Sequence, residues 1–185
     1  MFNGTGSCGN GAAMRVAPLG AWFFDDLDRA ADQAARSAEV THRHPEGIAG
    51  AVAVALAASI AAREHLAPTE FIDAVRTATP PGQVRAGVER AARLLGRPVV
   101  EAGYELGNGA RVTAQDTVPF AIWSAATHLG DYPAAIRSCV QIGGDVDTMA
   151  AIVGGIVAAR SGVPADWLAA REPLPDWVTP PNPRP

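Results

Sequence analysis

Cysteine is almost absent: Cys8 and Cys139 are the only two in 185 residues. With no signal peptide ahead of them, they leave no disulfide to be claimed and point to a reduced, cytoplasmic setting. Basic runs are missing and the net charge is −4, which speaks against nucleic acid or an anionic membrane as the main partner. Strand signals are scarce. The one short β-like piece, Arg97 to Val100, is interrupted by Pro98. The longest apolar stretches, Ile48 to Ala62 and Met149 to Ala159, are rich in Ala and Gly and fall short of a membrane span. They read as buried core helices. Charged residues are 18% against 48% hydrophobic ones, which excludes a disordered chain. What remains is a single all-α domain, residues 1–172, long enough to bury a core. A proline-rich tail, residues 173–185, is expected to be extended or disordered.

One stretch stands out chemically: Gly143-Gly144-Asp145-Val146-Asp147-Thr148, ahead of the apolar run MAAIVGGIVAA. Asp145 is placed to N-cap the helix that this run must form, with its carboxylate accepting from first-turn amides. Asp147 and Thr148 fall inside that turn. A helix N-terminus stabilises one carboxylate. A second one, two residues on, repels the first unless a cation lies between them. Three hard oxygens on one turn suit Mg²⁺ or Mn²⁺ better than zinc. From these residues alone, a cap with a spare acid and a metal site both stay open. The paired glycine, which lets a backbone approach a ligand closely, favours the metal. A phosphotransferase D-x-D loop fits poorly, because a helix follows here and Gly-Gly precedes.

The rest reads as helices and their punctuation. The stretch FNGTGSCGNG before Gly11 holds too many glycines for a helix and suits a loop whose amides cradle an anion. Met14 and Arg15 begin a helix punctuated by Pro18 and Gly20. Arg15 could pair with a phosphate or with a buried carboxylate, and the structural salt bridge is the favoured role. Ala21 to Val40 has 3.6-residue apolar spacing, and Asp25 and Asp26 near its start are taken as structural. Pro45 opens an all-round apolar helix to Glu64, central to the bundle. Shorter helices are expected from Pro68 to Thr77 or Ala78, Gln83 to Leu95, Gln115 to Leu129 and Asp131 to about Gln141. A connector, Arg97 to Ala114, lies between. It repeats the tetrapeptide Gly9-Asn10-Gly11-Ala12 as Gly107-Asn108-Gly109-Ala110, which alone makes no repeat architecture. Tyr104 in that connector could stack on a ligand, but an ordinary packed tyrosine is the favoured reading.

The stretch from Gly143 to Thr148 resembles the GGDTDT signature of the ADP-ribosylglycohydrolase family, which includes the enzyme that reactivates dinitrogenase reductase and the J1 crystallins. Three further stretches match in the family's order. Ser7 to Arg15 resembles the S-x-G-N-G-A-x-M-R loop, and Thr41-His42-Arg43-His44-Pro45 the T-H-x-x-P turn. Gln115 to Trp123 resembles a late helical segment. The resemblance covers roughly residues 4 to 170. It implies the family's compact orthogonal helical bundle and hydrolysis of the bond between ADP-ribose and a protein or small molecule. It also implies two Mg²⁺ or Mn²⁺ ions that hold the ribose beside an attacking water. Carried over residue by residue, Asp145, Asp147 and Thr148 are the metal ligands, and Ser7, Gly9, Asn10, Gly11 and His42 the substrate contacts. His44 is not among them.

The family's first segment, with a Gly-Asp start and a Thr-Asp-Asp trio, has no counterpart here, and Asp25-Asp26 and Asp116-Thr117 lie at other family positions. The acidic catalytic residue belongs to that segment, so none is named in this chain. Three explanations are open: a fragment, a degenerate non-catalytic ADP-ribose-binding or crystallin-like relative, or a second chain that supplies the segment.

Overall fold

The computed structural model describes residues 5–63, 65–175 and 177–178. Among these, eleven helices and no strand are found, as the scarcity of strand signals predicts. In order they are α1 (Gly11–Met14), α2 (Ala17–Trp22), α3 (Leu27–Glu39), α4 (Pro45–Arg63), α5 (Pro68–Ala78), α6 (Gln83–Arg93), α7 (Val99–Leu106), α8 (Ala114–Thr127), α9 (Tyr132–Ile142), α10 (Val146–Ser161) and α11 (Ala165–Ala170).

The centre is α4. Every residue from Ala49 to Ala61 is buried. It packs against α1, α2, α3, α5, α6, α8 and α10. Seven neighbours need small side chains at the contacts, which is why the helix is Ala- and Gly-rich. Gly20 of α2 lies directly on the carbonyl of Ala55, where no Cβ fits. Ser59 donates its hydroxyl to Gly20 O at 2.7 Å, so this buried polar group is satisfied. At 19 residues and with this composition, α4 is long and apolar enough to cross a membrane, contrary to the sequence expectation, but 83% of its apolar window is buried within the fold. Its first turn also holds another helix: the buried carboxylate of Glu46 accepts from Gln83 N at 2.7 Å and Val84 N at 2.8 Å, capping α6 from outside. Over α4 lies α8, whose Phe120 and Trp123 are fully buried. The Trp123 indole donates to Leu94 O at 2.9 Å.

Several sequence expectations are corrected. A helix begins at Gly11 rather than at Met14 and ends after one turn. The stretch from Ala21 to Val40 is not one helix. It breaks after Trp22, and Asp26 restarts it as an N-cap, accepting from Arg29 N at 2.9 Å. The connector is not structureless, since Val99 to Leu106 form α7. Two adjacent valines and Pro98 suggested a broken strand. Instead Pro98 is the extended residue before the helix, and Arg97 pairs with Glu101 at 2.8 Å across the first turn. Packing of Ala102, Gly103 and Leu106 then overrides the weak helix propensity of valine. Tyr104, expected to pack, is 87% exposed. The helix α11 is docked by an edge-on contact of Trp167 with Tyr132. Most of the expected tail, 173–185, lies outside the described residues, as does Glu64, the expected end of α4.

Candidate functional site

The helix α10 starts where the chain leaves α9 through two glycines. Gly143 and Gly144 have φ of +65° and +77°, a region that side chains avoid. A Cβ on Gly144 would also run into the Asn108 carbonyl. The turn therefore delivers Asp145 with its amide pointing at Asn108 O, 3.0 Å away.

Asp145 occupies the N-cap position by backbone, but its side chain makes no cap hydrogen bond, which corrects the expected cap. The carboxylate turns instead to the N-terminal loop, where its Oδ2 accepts from Asn10 Nδ2 at 2.6 Å. Asn10 is 3% exposed. The same amide nitrogen lies 3.0 Å from Thr117 Oγ1, and the Thr117 hydroxyl donates onward to Thr113 O at 2.9 Å. A buried amide with fixed partners thus holds one oxygen of Asp145. Burial alone would raise the pKa of this acid. The Asn10 amide, and after it the Thr148 hydroxyl, outweigh that effect, and the group lies below the ordinary carboxylate value.

The other two expected metal donors follow on the same turn. Asp147 is exposed and Thr148 is buried, its hydroxyl 3.5 Å from Met14 Sδ. Asp145 and Asp147 line an open groove of about 410 Å³ with Gly109, Ala110, Val112 and Gly144. Among the described residues, no three His, Cys, Asp or Glu side chains come close enough to hold a metal together. A donor set of two carboxylates and one hydroxyl fits Mg²⁺ or Mn²⁺ in type and would supply only part of a six-oxygen shell.

The N-terminal loop is tied to the connector. Gly9 and Thr113 form an isolated antiparallel bridge, with Asn10 N donating to Val112 O at 3.2 Å and Ala114 N to Cys8 O at 2.9 Å. Ser7 Oγ folds back and accepts from Gly9 N at 3.0 Å. The amides of Gly9 and Asn10 are therefore occupied within the fold, which corrects the expected anion cradle at these two positions. The side-chain amide nitrogen of Asn10, an expected substrate contact, bonds Asp145 and Thr117 within the fold. His42 does lie at the loop. A Cβ on Gly9 or Gly11 would fall 3.2 Å from its Nε2, so a larger residue at either position would crowd the ring slightly. Burial, and after it the nearby Arg15 charge, push the His42 pKa down. Among the described residues Arg15 has no carboxylate partner, so the favoured structural salt bridge is not found. Its guanidinium donates to Ser37 O, Thr41 Oγ1 and Gly11 O at 3.0, 2.9 and 3.4 Å.

The structure thus brings Asn10 to Asp145 and His42 to Gly9 and Gly11, while of the three expected metal donors Asp145 and Asp147 line the groove and the buried Thr148 does not. Sequence reasoning missed Asn108, Gly109 and Thr117. The repeated Gly-Asn-Gly-Ala was the signal for the first two, and the Asp-Thr pair at 116–117 for the third.

An all-α bundle in which a glycine-asparagine loop meets an acidic helix start defines a class, and comparison with known proteins agrees with it. The ADP-ribosylglycohydrolase family model matches residues 1–180, and the chain belongs to that family. Among curated relatives, ADP-ribosylhydrolase ARH3 of Gallus gallus is 30% identical over 90% of this chain and 54% of its own length. ADP-ribosylhydrolase ARH3 of Homo sapiens is 29% identical over 92% and 56%. An uncharacterized protein of Archaeoglobus fulgidus is 34% identical over 85% and 52%. The chain spans about half the length of these relatives.

Proposed function

We propose that this chain carries the ADP-ribose-binding half of a metal-dependent hydrolase that cleaves ADP-ribosyl glycosidic bonds in a modified protein or small molecule. The observation that supports it most is the 2.6 Å hydrogen bond between Asn10 and Asp145. It joins two stretches 135 residues apart, each matched separately to the family, at one point of the fold. In this reading Asp145, Asp147 and Thr148 hold a Mg²⁺ or Mn²⁺ ion, one of the two normal for the family. Bound there, the cation would supply the positive charge that fixes the ribose hydroxyls and polarises water. The chain's own part is to bind and orient. Asn10 keeps Asp145 aimed into the groove, Ser7 and Gly9 shape the loop, and Gly9 and Gly11 admit the His42 ring beside the ligand. The general acid or base is proposed to come from outside these residues, in a preceding segment or a partner chain.

The incomplete donor set favours a second reading, a non-catalytic ADP-ribose binder. Calorimetry with ADP-ribose in the presence of Mg²⁺, alongside an assay for released ADP-ribose, separates the two. The proposal expects weak binding that disappears in Asp145→Ala, and little turnover unless the complementing segment is added. Binding that is untouched in Asp145→Ala would remove the site. Binding without turnover, even with the segment present, would leave the binder.

A further inference from the structure

His42 has two ring nitrogens, and which one carries the proton decides what it can do. The answer lies in the residues behind the ring. Nδ1 is 2.7 Å from Thr41 Oγ1. The same oxygen is 2.9 Å from Arg15 Nη2. A guanidinium has only donors, so Arg15 donates and fills one lone pair of the hydroxyl. The hydroxyl still has one proton to give. If it gives it to Nδ1, the bonds run head to tail from guanidinium to hydroxyl to imidazole, and each polarises the next favourably. In the alternative, an Nδ1–H would point at an oxygen already facing a cation, with two positive dipole ends converging. Arg15 is fixed for this role by Ser37 O at 3.0 Å and Gly11 O at 3.4 Å. Thr41 and His42 are fixed by amide bonds to Ala38 O at 3.0 and 2.6 Å, at the end of α3.

We propose that Arg15 and Thr41 are positioning residues that lock His42 as the neutral Nε2–H tautomer, so that the ring presents a hydrogen-bond donor over the Gly9–Gly11 loop. The lowered His42 pKa agrees with a ring that stays neutral beside Arg15. Two consequences follow. The ring has no free lone pair toward the loop, so His42 is not a metal ligand. The ligand atom it meets must be an oxygen acceptor, which in the reading proposed above is a phosphate oxygen of the diphosphate. The tautomer itself is a property of the ligand-free protein and stands apart from that reading.

Long-range proton–nitrogen NMR on ring-labelled histidine tests this directly, with His42 assigned by its loss in His42→Gln. The expected result is an acceptor-type Nδ1 and a proton-bearing Nε2 at their limiting shifts. In Thr41→Val both signals should move toward the averaged values of an unrestrained imidazole, and Thr41→Ser should restore them. Where ADP-ribose binds, Thr41→Val should weaken it by about 2- to 10-fold, the range for one neutral hydrogen bond, with rescue by Thr41→Ser. A proton on Nδ1 in the wild type, or ring signals indifferent to Thr41→Val, would overturn the proposal. Because the ring measurement needs no ligand, a wild type with the expected signals but no ADP-ribose binding supports the tautomer and removes only the assigned ligand.

Discussion

Gly9-Asn10-Gly11-Ala12 and Gly107-Asn108-Gly109-Ala110 are the same four residues in the same order, and both meet Asp145. They do so in opposite ways. In the first, Asn10 has helical dihedrals and opens α1, and its buried side chain reaches the Asp145 carboxylate. In the second, both glycines have positive φ, +98° and +77°, and the chain stays a loop. The side chain of Asn108 serves its own turn, with Oδ1 accepting from Ala110 N at 3.2 Å, while its carbonyl takes the Asp145 amide. One copy therefore holds Asp145 by a side chain and the other by the backbone. The difference comes from neighbours rather than from the tetrapeptide. Apolar Ala12 and Ala13 are drawn into the core after the first copy, whereas exposed Arg111 and Val112 follow the second.

The sharpest way to separate the two copies is at their third residues. A Cβ on Gly109 would combine a φ of +77° with a 2.7 Å approach to the Asp145 Cβ. Gly109→Ala should therefore cost about 3 kcal/mol in urea denaturation, from strain and overlap together. The corresponding Cβ on Gly11 meets only the edge of the His42 ring at 3.2 Å, without positive φ. Gly11→Ala should cost less than about 1 kcal/mol. Equal losses would mean that the two backbones are not as different as described.

Next in size are the groups that fix Asn10. Asn10→Ala removes a hydrogen bond to a charged group and should cost about 2 kcal/mol. Thr117→Val removes the oxygen 3.0 Å from the Asn10 amide and should cost about 1 kcal/mol. The double variant should lose less than the sum, since both act on one network. Strict additivity would break the chain of contacts from Thr113 to Asp145.

The smallest effect is chemical rather than energetic. Cys8, next to the first copy, is half-buried, whereas Cys139 is fully buried in α9. Burial pushes the Cys139 thiol up to about 11. Only Cys8 should be alkylated at pH 8 in the folded protein, as mass spectrometry of the modified peptides would show. Modification of Cys139 under native conditions would contradict the packing of α9.

Much of this was legible in the sequence. The helix α4 announced itself by being apolar on every face, because a helix with seven neighbours has no polar side. Asp131 and the proline at 133 marked the start of α9, and the Asp131 carboxylate does accept from Ala134 N at 2.9 Å. The acidic turn after Gly143-Gly144 was visible as too many carboxylates for a cap. What was hidden depends on contacts between distant residues. Asp145 reads locally as a cap, and only the arrival of Asn10 turns its carboxylate away. Val99 and Val100 read as strand, and only packing of α7 beside Ile142 makes them helical. Thr41 and Arg15 both stood in matched stretches, but nothing local showed that Arg15 and His42 meet at the Thr41 hydroxyl.

Asp145 is oriented by the side chain of one asparagine and merely anchored by the carbonyl of the other. Mn²⁺ titration followed by electron paramagnetic resonance, on the wild type, Asn10→Ala and Asn108→Ala, tests this most directly. Loss of Asn10 should weaken Mn²⁺ binding about 10-fold or more, as for other residues that orient a ligand from behind, while loss of the Asn108 side chain should change it by less than about 3-fold. Equal weakening by the two variants, or Mn²⁺ binding indifferent to Asn10→Ala, would contradict it.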